Sequence, residues 1–62
     1  MLIRSIEKFL RKHDMPPTKF GRLATRDPRF VHDLRRGRTP GTPMERRVET
    51  FMRAYQEMAD AR

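Results

Sequence analysis

Five prolines, at positions 16, 17, 28, 40 and 43, limit what this chain can fold into. A proline inside a helix removes a backbone donor and clashes with the preceding turn, but it suits the first helical turn, where that amide would lack a partner. The apolar residues between the prolines recur at helical spacing, so the prolines read as punctuation between helices. Leu2, Ile3, Ile6, Phe9 and Leu10 give one amphipathic helix of about three turns, stopping before Pro16. A second helix runs from about Pro17 to Ala24, with Phe20, Leu23 and Ala24 on one face, Lys19 and Arg22 on the other, and Thr18 at the edge. Asp27 followed by Pro28 places an acceptor at an N-cap and proline at the first helical position. A third helix therefore starts there, carries Phe30, Val31 and Leu34 on one arc, and ends near Gly37. Arg38 to Gly41 reads as a turn, and Thr42, Pro43, Met44 and Glu45 as a capping box. The last helix opens at that box and reaches Ala59 along an apolar seam of Met44, Val48, Phe51, Tyr55 and Met58. The expected fold is all-α, a small bundle of four helices, or five, in one domain over residues 1–62 with its last helix over about 43–59.

Size and composition exclude several classes of function. A chain of 62 residues is one domain at most, burying roughly 60% of its unfolded surface, with no room for a cleft between domains. Without cysteine there is no disulfide framework and no thiolate zinc site. Only His13 and His32 could anchor a metal, and they stand far outside short ligand spacing, so no metal or other cofactor is expected. Each is followed by an aspartate and reads as half of a solvated surface pair. No apolar run exceeds Met1 to Ile3, which excludes a membrane span and the apolar core of a signal peptide. No nucleophile, base and carboxylate pattern stands out either, so the expectation is a cytoplasmic protein that is not an enzyme and takes no small-molecule substrate.

Charge points to a partner instead. The net charge is +7 with a sequence pI near 11.3, which suits a polyanion, nucleic acid first. The hydrophobic share of 35% is low, yet its helical periodicity is that of a folding chain and not of a disordered basic tail. Residues 1 to 42 carry eleven Lys and Arg against four acids, whereas residues 43 to 62 carry four of each. Within residues 19 to 38 the balance is seven bases against Asp27 and Asp33. A merely solubilising charge would be spread more evenly.

Two short helices with only Thr25 and Arg26 before the Asp27 cap form a tight helix-turn-helix over about 17–37, whose second helix usually enters the DNA major groove. The stretch DMPPTKFGRLATRDPRFVHDLRRGR, residues 14 to 38, resembles the helix-turn-helix domains of the lambda repressor and Cro type from bacteria and phages. The matching positions are Phe20 and Gly21, the later apolar residues Ala24, Val31 and Leu34, and the closing Arg36, Gly37 and Arg38. The chain differs at Thr25, where the family has the glycine of the turn, at Arg26, where it has an apolar residue, and at Pro17, where it has a backbone-contacting glutamine.

The resemblance implies a double-stranded DNA binder that regulates transcription, nucleoid-associated in a bacterium, with helix 28–36 in the major groove. Arg29, His32 and Arg36 lie on the outward arc of that helix and are the candidates for base contact. Thr18, Lys19, Arg22, Arg26, Arg35 and Arg38 are the candidates for phosphate contact. Asp33 is expected to pair with Arg29 or Arg36, and Phe30 to join the core. Met52, Tyr55 and Met58 on the last helix offer a surface for a homodimer. Two other functions compete: non-specific RNA binding or nucleic-acid packaging through the same charge, and a helical adaptor for another protein.

Overall fold

Four helices, α1 (Leu2–Lys12), α2 (Pro17–Thr25), α3 (Phe30–Arg35) and α4 (Thr42–Asp60), are joined by short turns in a computed structural model that describes residues 2–60. No strand occurs among the described residues, so the all-α expectation holds with four helices, not five. None of these helices is long and apolar enough to cross a membrane.

Left-handed residues close the first three helices. After α1 the Asp14 N–H donates to the Arg11 carbonyl and the Met15 N–H to the Leu10 carbonyl at 2.9 Å, with Asp14 at φ 49°. This bond pair is the standard finish of a helix whose next residue is left-handed, and it turns the chain so that the following apolar residue folds back. Met15 accordingly joins Leu10 in the core.

After α2 the left-handed residue is Arg26, at φ 62°. The sequence pointed to Thr25 as the turn residue, but Thr25 stays helical because its hydroxyl donates to the Gly21 carbonyl at 2.9 Å. The turn moves one residue on. Asp27 then caps as expected, its Oδ1 accepting the Arg29 N–H at 2.9 Å. The Phe30 N–H bonds the Asp27 carbonyl three residues back, so Pro28 and Arg29 form a tight turn and regular α-helix begins at Phe30, two residues later than predicted. Gly37, at φ 103°, ends α3 with the same bond pair as α1, donating to Leu34 while Arg38 donates to Asp33.

The capping box at α4 does not form. The Glu45 N–H donates to the Gly41 carbonyl at 3.0 Å, which makes Gly41 the cap and puts Thr42 inside the first turn.

The core takes Ile6, Phe9 and Leu10 from α1, Phe20 and Ala24 from α2, Phe30, Val31 and Leu34 from α3, and Val48 from α4, with Met15 between the first two helices. Phe9 is its aromatic junction, with ring centroids 5.4 Å from Phe20, 6.1 Å from Phe51 and 5.4 Å from Tyr55. Burying one such side chain contributes about 1.5–3 kcal/mol, and an edge-to-face aromatic pair about 0.5–1.5 kcal/mol more. The junction therefore ties α1, α2 and α4 into one unit.

Leu23 was expected on the buried face of α2 but is 51% exposed. At about 100° per residue, Gly21 and Leu23 lie on opposite flanks of the Phe20–Ala24 line. Gly21 is buried, and a Cβ built there would run into the Asp27 carbonyl. The helix is thus rolled with its Gly21 flank against the start of α3, which turns Leu23 outward. Gly21→Ala should cost about 1–3 kcal/mol by forcing the two backbones apart, read as a lowered urea midpoint; an unchanged midpoint would mean that the approach is not a constraint.

Candidate nucleic-acid interface

The buried arc of α3, made by Phe30, Val31 and Leu34, dictates what its other side presents. With about 100° between successive residues, Arg29, His32 and Arg36 fall within about 60° of one another, opposite that arc. All three are exposed, and their side chains make no hydrogen bond or ion pair among the described residues. The three residues singled out for base contact are therefore together and unengaged.

The flanks of α3 differ. Arg35 reaches across to α1 and forms a two-pronged pair with Glu7, Nε to Oε2 at 3.0 Å and Nη2 to Oε1 at 2.7 Å. On the other flank Arg38 reaches back to Asp33 at 3.1 Å and stands 3.9 Å from Asp27 Oδ2. Asp33 was expected to pair with Arg29 or Arg36 and instead takes Arg38, because the chain reversal at Gly37 brings Arg38 back over the helix. Asp27 thus caps the backbone with one oxygen and faces Arg38 with the other. Arg35 and Arg38, both counted as phosphate candidates, are held by carboxylates. Glu7 lies 28 residues from Arg35, and no local pattern could have paired them.

On α2, Thr18, Lys19 and Arg22 are exposed, as is Arg26 in its turn. No acid occurs from Met15 to Arg26, so Lys19 and Arg22 have no carboxylate within four residues in sequence. Arg26 holds its left-handed backbone at a cost of about 1–2 kcal/mol for a residue with a Cβ. Such strain at a charged, exposed turn is often kept where the side chain is used. The bases Arg4, Lys8, Arg11 and Lys12 add an exposed basic face to α1, which the reading of the 14–38 stretch passed over.

The expected dimer surface is mostly occupied within the chain. Met52 and Tyr55 pack on the core, and Tyr55 meets His13 edge-on at 5.0 Å. Met58 alone stays open, at 70% exposure, beside His13 and Ala59. His13 is not in a solvated pair with Asp14: its ring lies between Phe9, tilted at 4.5 Å, and the edge-on Tyr55, with Nε2 buried and unpartnered.

The chain matches no family model, no curated protein and no solved structure.

The Glu7 carboxyl is held below its ordinary value first by the hydrogen bond from Arg35, against a smaller opposing effect of desolvation, with the charges of Arg35 and Arg11 adding to the lowering. The folded state then binds that proton more weakly than the unfolded chain. Its contribution is fully present above the ordinary glutamate value of about 4.3 and is lost as pH falls through the lower folded value. The side chains are 39% and 37% exposed, so screening holds the contribution below about 1 kcal/mol. Glu7→Gln should lower stability by no more than that at neutral pH, and its gap to the parent protein should narrow in acid. A gap that persists unchanged in denaturant melts at low pH would mean that charge is not its source.

Proposed function

We propose that this protein binds double-stranded DNA sequence-specifically and regulates transcription, with α2 and α3 acting as a helix-turn-helix of the lambda repressor and Cro type. In this reading α3 lies in the major groove and α2 crosses the phosphate backbone. The observation that carries it is the outward arc of Arg29, His32 and Arg36, free of partners while the nearest acids, Asp27 and Asp33, are turned to Arg38. With those carboxylates engaged by Arg38, the arc presents its donors with no acid set against them. The net charge of +7 supplies the attraction, and Thr18, Lys19, Arg22 and Arg26 are the phosphate contacts. Dimerisation is not needed for this contact, and Met58 is the side chain left to support it.

The test is fluorescence anisotropy on a labelled duplex across a salt series. Each neutralised phosphate contributes about −0.9 to the log-log slope, so contacts from Lys19, Arg22 and Arg26 alone give about −2.7. A slope near zero overturns DNA binding. Arg22→Ala should weaken all duplexes alike and make the slope shallower by about 0.9.

Arg26→Gly should move two quantities in opposite directions. Relief of the left-handed backbone raises stability by up to about 1 kcal/mol, while loss of the guanidinium weakens DNA binding. If stability and affinity rise together in thermal melts and anisotropy, Arg26 is not a contact.

A further inference from the structure

We infer that the exposed arc of α3 reads guanine, and that its preferred duplex carries two guanines about two or three base-pair steps apart. This rests on the DNA-binding reading above and names the substrate of that same surface.

The inference comes from what the arc offers and what it lacks. In the major groove adenine is read by the amide of Asn or Gln, cytosine by a carboxylate accepting from its amino group, thymine by apolar contact with its methyl, and guanine by an Arg donating to O6 and N7. The chain has no Asn, and its one Gln is Gln56, on α4. The carboxylates nearest the arc are engaged, Asp33 by Arg38 and Asp27 by Arg38 and the Arg29 N–H. The apolar residues of α3, Phe30, Val31 and Leu34, are all buried, so no methyl-seeking side chain faces outward. What remains is Arg29 and Arg36, donors only, with His32 between them, whose neutral ring offers one donor and one acceptor and favours no single base. Guanine is the base whose major-groove edge presents two acceptors and no donor.

The spacing follows from the helix. Arg29 and Arg36, the residues that flank α3, are seven positions apart, and at about 1.5 Å per residue they stand about 10 Å apart along the axis. Base pairs rise about 3.4 Å along the duplex axis and each step along the winding groove is somewhat longer, so a helix lying along the groove sets the two guanidinium groups about two or three steps apart. His32 stands over the pairs between.

The experiment uses the full chain and a set of fluorescent duplexes of equal length, A·T throughout except for two G·C pairs with zero to five pairs between them and the guanines on the same or on opposite strands. Affinity should peak at one or two intervening pairs, about tenfold or more above an all-A·T duplex. At that best spacing, 7-deazaguanine, which lacks N7, should remove most of the gain. Inosine, which keeps O6 and N7 and lacks only the minor-groove amino group, should retain it. Arg29→Lys and Arg36→Lys keep the charge but lose the planar fork, so each should lower the ratio of affinities between the best duplex and the all-A·T duplex. Equal, salt-sensitive binding to every duplex overturns the guanine assignment while DNA binding stands. Loss on inosine substitution, or no loss on 7-deazaguanine, also overturns it, by moving recognition out of that groove or off that edge. No binding to any duplex overturns both readings, and that outcome is distinct from the others.

Discussion

The approach of α2 to the start of α3 at Gly21 is the contact on which the rest of the arrangement depends. The Asp27 carbonyl occupies the space that any side chain at position 21 would need, so the two helices meet at a distance only glycine permits. That contact fixes Asp27, and Asp27 in turn fixes the first turn of α3 through its carboxylate on the Arg29 N–H. The roll of α3 then decides which residues face outward. The same contact explains Leu23, since a helix turned to put Gly21 inward cannot also bury the residue on its far flank.

Charge around α3 is arranged by subtraction. Glu7, Asp27 and Asp33 are engaged by Arg35 and Arg38, so the negative groups that would repel phosphate are neutralised by bases at the flanks. These pairs are exposed, and exposed pairs contribute about 1 kcal/mol or less. They do not hold the fold together. Their effect is one of placement: the two arginines at the edges are held to protein carboxylates, while Arg29 and Arg36 in the middle keep all their donors. Arg26 belongs to the same pattern from the other side, a cation kept in a backbone conformation that favours glycine.

The number, order and approximate ends of the helices were legible because proline, glycine and an Asp–Pro step act locally, and local rules govern where a helix can start or stop. The Asp27 cap and the Gly37 finish are of this kind, and so is the arc of Arg29, His32 and Arg36, which needs only the helical period. Features that depend on a second element were not legible. The exposure of Leu23 follows from the Gly21 contact, the engagement of Arg35 from Glu7 on another helix, and the half-burial of His13 from Phe9 and Tyr55. The turn was misplaced by one residue because the Thr25 hydroxyl extends α2 through a bond to Gly21, and a threonine near a helix end gives no sign of which carbonyl it will find. The stop before Pro16 gave no place to Met15, which the left-handed Asp14 returns to the core.

Packing and charge hold different parts of this molecule. Among the described residues no side chain in the core is polar or charged, and the junction at Phe9 joins α1, α2 and α4 through ring contacts that salt does not screen. The exposed bases contribute almost nothing to that core. Ionic strength therefore acts on the exposed charge and leaves the packing that orients the α3 arc unchanged, whereas a change at Gly21 or Phe9 acts on that packing and leaves the charge as it was. A domain this small has few buried residues to spare, and because Arg29, His32 and Arg36 lie outside the core, they can vary without loss of the fold that orients them.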